Sequence, residues 1–244
     1  MKKLIFLIFI LLIACSSSRK ISKEATPIEP VDSSSVITGE VDTVSNYYLF
    51  DYINNLDSSD YYTLLDSIKN NTSSDFFALR MAYTKTADYT PYDSRMGKLY
   101  DRITSLLDSA AYPQATLLCD SILQHKYVDA LVHLYLGYIY LQTGDSLRSN
   151  YHYDCYDGLL SSIEESGDGR APKTAYIVID TREEYVFLDW YDLEVKSQSL
   201  LSEDGYSFDL LNAYDPQQDK DFEVYFNIQI PFGYLKRVFP NKNE

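Results

Sequence analysis

The sequence predicts an α+β protein, and three observations predict it. From Asn46 to Glu165 apolar residues recur at the three-to-four spacing of helices. From Lys173 onward they come in a β-branched run and in strict alternation, which is the pattern of strands. Between the two lies Ser161–Trp190, SSIEESGDGRAPKTAYIVIDTREEYVFLDW, which holds a helix end, a Gly-rich turn, an apolar run and a new helix start. That stretch reads as the seam of a single domain over residues 46–240, with a helical part at 46–165 and a small antiparallel β-sheet at 173–240.

The N-terminus reads as an address. Met1-Lys2-Lys3 precedes an apolar run, Leu4 to Ile13, which is too short to span a bilayer and fits a signal peptide over residues 1–14. Leu12-Ile13-Ala14-Cys15 resembles the lipobox of bacterial lipoproteins, which implies cleavage before Cys15 and acylation of Cys15, by palmitate or a related chain. Residues 15–45 are rich in Ser, Thr and Pro without apolar periodicity, the composition of a flexible tether. No acidic run follows Cys15, so the expected location is the periplasmic face of the cell envelope.

In the helical part, Asp57-Ser58-Ser59-Asp60 offers caps to a helix carrying Tyr61, Leu64, Leu65 and Ile68. Asp75 to Thr84 reads as a second helix, and the Tyr-rich run through Pro91 as a loop. Met96, Leu99, Tyr100, Ile103, Leu106, Leu107 and Ala110 follow the helical period closely. Pro113 restarts the chain in a first turn, where its missing N–H is no loss. Val128 to Leu141 is apolar nearly all round, as a central helix should be. After Gly144-Asp145 a further helix carries His152, Cys155, Leu159, Leu160 and Ile163.

In the sheet part, Thr174 to Asp180 reads as a buried strand. Thr181-Arg182-Glu183-Glu184 reads as a capping box in which Glu184 reaches back to the helix start. Val195–Ser202 and Tyr206–Tyr214 form a hairpin around the turn Asp204-Gly205. Phe222 to Ile230 alternates with period two and reads as a strand that Pro231 stops, with one more helical turn over Phe232–Phe239.

Two resemblances follow from these residues. Leu136-Gly137-x-x-Tyr140-x-x-x-Gly144-Asp145, with Tyr112-x-x-Ala115-x-x-x-Cys119-x-x-Ile122 before it, is similar to the tetratricopeptide (TPR) pattern. This implies TPR-like helical hairpins and, by analogy, a protein-binding surface. Residues 46–239 also resemble a family of uncharacterised bacterial lipoproteins known only as a domain of unknown function. The matching pieces include Ser74-Asp-Phe-Phe-Ala-Leu-Arg80, Ser166-Gly-Asp168-Gly169, Glu183-Glu184-Tyr185 and Tyr225-Phe226-Asn227-Ile228. The family implies the architecture and no activity.

The chemistry is sparse. There is no CxxC, HExxH, GxSxG or P-loop spacing, so no metal or cofactor is expected. A net charge of −15 argues against nucleic acid. Cys119 and Cys155 lie on apolar helix faces, where they either pair or pack as small hydrophobes. The expected function is that of a membrane-tethered protein binder or scaffold, with a protein partner and the membrane engaged through Cys15. The alternative is an enzyme or small-ligand binder in which Arg80, His133, His152 and Glu183 converge near Ser166–Glu184. There Asp168 either helps hold a cation or only ends a helix, and Arg80 either clamps a ligand or serves a buried ion pair.

Overall fold

The computed structural model describes residues 45–239. Signal peptide, Cys15 and tether, as read from the sequence, lie outside them. Nine α-helices and a four-stranded sheet make up the described residues, an α+β arrangement. The helices are α1 (Tyr48–Asn55), α2 (Ser58–Lys69), α3 (Phe76–Tyr83), α4 (Arg95–Asp108), α5 (Tyr112–Leu123), α6 (Ala130–Gln142), α7 (Ser146–Glu164), α8 (Thr181–Trp190) and α9 (Gln229–Val238). The strands are β1 (Tyr176–Ile177), β2 (Glu194–Glu203), β3 (Tyr206–Asp215) and β4 (Lys220–Asn227).

Local chemistry sets most boundaries. Asp57 and Asp60 form a reciprocal capping box at α2. Asp75, Asp129 and Asp145 cap α3, α6 and α7 with their carboxylates on backbone N–H groups. Residues Val132 to Tyr140 of α6 are all buried, because α5 packs on one side of it and α7 on the other. Gly137 lies against the ring of Tyr153, 2.8 Å from where a Cβ would stand, so the glycine admits α7 to close contact with α6. The β2–β3 hairpin turns through Asp204 and Gly205, both at positive φ.

Two apolar clusters fill the interior. One lies among α4, α5 and α6 and includes Ile103, Leu107, Cys119, Val132 and Ile139. The other joins the first helices, α7 and α8 to the sheet through Leu79, Leu159, Ile163, Phe187, Leu211 and Phe226. Cys119 sits in the first cluster and Cys155 in the second, each a free buried thiol.

Several expectations need correction. The sheet is mixed, not antiparallel: its order is β1-β4-β3-β2, and β1 runs parallel to β4. The buried run Thr174–Asp180 is not a seven-residue strand, since only Tyr176 and Ile177 join the ladder. Its other backbone groups bond partly to backbone, as the Val178 N–H does to the Asn227 carbonyl at 3.3 Å, and partly to side chains. The Asn46 amide donates to the carbonyl of Ala175 at 2.7 Å, and the Tyr89 hydroxyl to that of Ile179 at 2.7 Å. The Ile177 N–H donates to Ser166 Oγ at 2.8 Å. Periodicity reports burial, and it does not distinguish a ladder from such side-chain partners. β4 ends at Asn227 rather than Ile230, and Pro231 sits inside the first turn of α9, where no intrahelical N–H bond is lost. Helix α1, short and Tyr-rich, went unread in the sequence.

The seam turn is tight. A Cβ on Gly167 would stand 2.3 Å from the carbonyl oxygen of Thr174, and that oxygen accepts from both Asp168 and Gly169 N–H. Backbone cannot step aside as a side-chain tip can, so Gly167→Ala is expected to cost about 2–3 kcal/mol, measured by urea unfolding.

Candidate functional site

Three features gather the polar residues of interest: a buried charge network at the seam, a histidine pair beside it in sequence on α6 and α7, and an open groove.

The network is built around the segment after β1. Arg80 on α3 is fully buried. Its Nε and Nη2 donate to the two carboxylate oxygens of Glu183 at 3.1 and 2.6 Å, a bidentate pair. Its remaining donors reach Ser162 Oγ at 3.2 Å and the Ile177 carbonyl at 3.1 Å. Glu183 also accepts from the Ile179 N–H at 2.9 Å. Next along, Lys126 Nζ lies 2.9 Å from Asp180 and 3.3 Å from Asp129, and Arg182 lies 3.0 Å from Asp180. Tyr100 donates to Asp129 at 2.6 Å. The charges of Lys126 and Arg182 hold Asp180 below the usual carboxylate range against the opposing effect of burial.

Arg80, Lys126 and Arg182 thus balance Glu183, Asp180 and Asp129. Glu184 and Asp209 are left over. Glu184 is fully buried and neither of its carboxylate oxygens meets a donor. Burial, then the neighbouring Asp209, pushes its carboxyl up to about 10. Asp209, on β3 and 5% exposed, is raised by burial and accepts from Gln198 Nε2 at 2.7 Å. With no cation within reach of the pair, Glu184 is the carboxyl that the fold favours in its protonated form.

The capping box read from the sequence is one residue out of register. Asp180, not Thr181, is the N-cap of α8, and its carboxylate accepts from the Arg182 N–H. That places Glu183 at the third helical position. From there it reaches the Ile179 N–H rather than that of the cap, and Glu184 turns inward toward the sheet. Glu184 therefore has no capping role, and Glu183 takes a structural one through Ile179 and Arg80.

His133 and His152 meet. His133 is fully buried, and its Nε2–H donates to the Tyr127 carbonyl at 2.9 Å. Its Nδ1 therefore accepts, at 3.0 Å, from Nδ1–H of His152, which leaves His152 Nε2 with a lone pair. The His152 ring stacks on Tyr140, and the Arg148 guanidinium lies over the other ring, 4.2 Å from its centroid. Burial lowers His133 to about 4, and burial with His133 and Arg148 lowers His152 to about 3. The unfolded chain takes up protons near the ordinary value of about 6.5 while the fold refuses them, so these histidines withdraw stability as pH falls below about 6.5. Each contributes a slope of up to about 1.4 kcal/mol per pH unit down to about pH 4. His152→Asn is expected to flatten the slope between about pH 6.5 and 5, read as the variant-minus-parent difference in urea unfolding.

The expected convergence of Arg80, Glu183, His133 and His152 into one open polar site does not occur. They resolve into two pairs with different partners, and Arg80 and His133 are sealed in the core. Asp168 is exposed in the seam turn, where it accepts from the Arg170 N–H at 3.0 Å, the helix-ending role. His125 is exposed near Asp88. Among the described residues no three His, Cys, Asp or Glu side chains are arranged to hold a metal ion.

The groove is the open feature. It measures about 800 Å³ and lies between the α2–α3 connection and α7. Asn71, Ser73, Ser74 and Asp75 line one wall. Tyr151, Asp154, Ser161 and Glu165 line the other. Phe76 is part of the lining, its ring laid over Gly158. Ser162 in the floor is the hydroxyl that Arg80 holds from behind.

A family described as a domain of unknown function, DUF4919, matches residues 49–236. The chain belongs to that family. The matched span runs from α1 into α9, so the DUF4919 domain contains the seam network, the histidine pair and the whole groove, and it leaves Cys15 outside. No curated protein and no solved structure matches the chain.

Lys126, Asp129, Asp180, Arg182 and Asp209 were not singled out in the sequence. Lys126 and Asp129 flank an apolar run, Tyr127-Val128, and a lone charge pair in such a setting is the available signal. Asp209 stands in the alternation of β3 where an apolar residue is due, between Ser207 and Leu211 on one face.

Proposed function

We propose that the chain is a membrane-tethered binding module of the bacterial cell envelope, carried by acylated Cys15, whose groove takes an extended cationic segment of a partner protein. The observation that carries this reading is the groove itself. It is the open concavity in the helical part, where the TPR-like resemblance leads one to expect a binding surface. Three exposed carboxylates, Asp75, Asp154 and Glu165, border it. Its one arginine, Arg148, is engaged by Asp145 at 2.7 Å and by the Tyr140 ring. A net charge of −15 adds a long-range attraction for basic partners. The tether reading rests on Leu12-Ile13-Ala14-Cys15, and among the described residues no helix is long and apolar enough to cross a membrane.

Two measurements test the two halves. Cys15→Ser is expected to move the expressed chain from the membrane to the soluble fraction; retention on the membrane contradicts the tether. A Lys/Arg-rich peptide is expected to bind more tightly than its Asp/Glu counterpart, and Asp154→Lys with Glu165→Lys is expected to weaken that binding at least about tenfold. Equal binding of both peptides, or no effect of the reversals, contradicts the groove.

A further inference from the structure

The sheet offers a second surface, independent of the groove. β2 is the end strand of the order β1-β4-β3-β2 and pairs only with β3. Among the described residues no backbone group from any other element bonds to it. It is ten residues long, and every residue except Val195 is exposed. Sheets protect such edges with bulges, lysines, prolines or short strands, because a row of unpaired N–H and C=O groups is a template for another strand.

Those guards sit at one end only. The pairing of β2 with β3 shifts between Val195 and Ser197, and Lys196 stands there, held by Asp221 at 2.5 Å and over the Tyr214 ring. From Gln198 to Glu203 the pairing runs in regular register, without bulge, lysine or proline. In this half Leu200 and Leu201 are 60% and 37% exposed. As neighbours in a strand they face opposite sides of the sheet, so each side presents an uncovered apolar contact. At its end Glu203 and Asp204 are exposed.

We propose that the outer edge of Gln198–Glu203 accepts one extended strand from a partner protein, with apolar residues at alternate positions and a lysine or arginine at the end that meets Glu203 and Asp204. The backbone row supplies the ladder, the two leucines supply the side-chain contacts on either face, and the carboxylates fix the direction of the incoming strand. A second copy of the chain is disfavoured as occupant, since it brings the same charge of −15 to the contact.

The test uses the full chain and a blocked peptide of alternating Val and Thr with Lys at one end. Saturable binding by fluorescence anisotropy is expected, together with new hydrogen-exchange protection of the β2 amides. N-methylation of the peptide at alternate residues is expected to weaken binding at least about tenfold, and so is Leu200→Lys with Ser202→Lys in the protein. Asp154→Lys with Glu165→Lys is expected to leave this binding unchanged, so failure of the groove and failure of the edge are separable. The proposal is overturned by the absence of saturable binding, or by indifference to N-methylation. A full-length Leu200→Cys chain that links to itself through position 200 while the parent sediments as a dimer overturns it too.

Discussion

Glu184→Gln is expected to raise stability at about pH 8 by about 2 kcal/mol or more, and the gain is expected to vanish toward about pH 4.5. The sign follows from the carboxyl's surroundings. Glu184 is fully buried, its oxygens lack donors, and every nearby cation is committed to another carboxylate. Burial and Asp209 raise its pKa, so the fold holds a proton that the unfolded chain releases near its ordinary value of about 4.5. Stability from this group is complete below that value and is lost as pH rises toward the folded value, at about 1.4 kcal/mol per unit. Glutamine has nearly the same shape and never ionises. Urea unfolding of parent and variant across about pH 5 to 8 reads the difference. A variant less stable than the parent at about pH 8 would show that Glu184 is ionised in the fold and paired.

Arg80→Ala is expected to cost about 3–5 kcal/mol, the largest loss among these substitutions. The change strands the Glu183 carboxylate, removes the donor to the Ile177 carbonyl and opens a void where a whole guanidinium was enclosed. Arg80→Lys is expected to recover only part, since an ammonium cannot hold both Glu183 oxygens, Ser162 and Ile177 together. The double change Arg80→Met with Glu183→Gln is expected to be milder than Arg80→Ala, because no buried charge remains and the glutamine carbonyl can still accept from Ile179. Chemical unfolding of the three variants beside the parent checks the order. If the double variant is as unstable as Arg80→Ala, the loss comes from the hydrogen bonds to Ile177 and Ser162 that both variants lack and not from the stranded charge.

These expectations assign the polar seam to the support of the fold. The run Thr174–Asp180 is buried, yet most of its length lies outside the ladder, so part of its backbone needs partners from side chains. Arg80, Glu183, Asn46, Ser166 and Tyr89 supply them. The open chemistry lies elsewhere, in the groove along α7 and at the edge of β2.

The helical half was legible because its signals are local. Apolar period, aspartate caps, Pro113 in a first turn and Gly144-Asp145 each act within a few residues, and α4 to α7 fall where those signals place them. The hairpin of β2 and β3 was legible for the same reason, through Asp204-Gly205. Long-range partners were not. Neither the parallel pairing of Tyr176 with Phe226 nor the meeting of Lys126 with Asp180 leaves a mark at a short spacing.

What the sequence determined by itself is therefore the α+β class, most helix boundaries and the sorting of residues into inside and outside. Tertiary structure decided which buried charges find counter-charges. Glu183 and Glu184 are adjacent, chemically identical and both in the first turn of α8. A rotation of one residue about the helix aims one at Arg80 and the other at Asp209, which makes the first an ion-pair partner and the second a proton-bearing acid. Only the packing of α8 against α3 residue Arg80 and the sheet sets that rotation, because the energy of a buried charge depends on what stands opposite it and not on its neighbours in the chain.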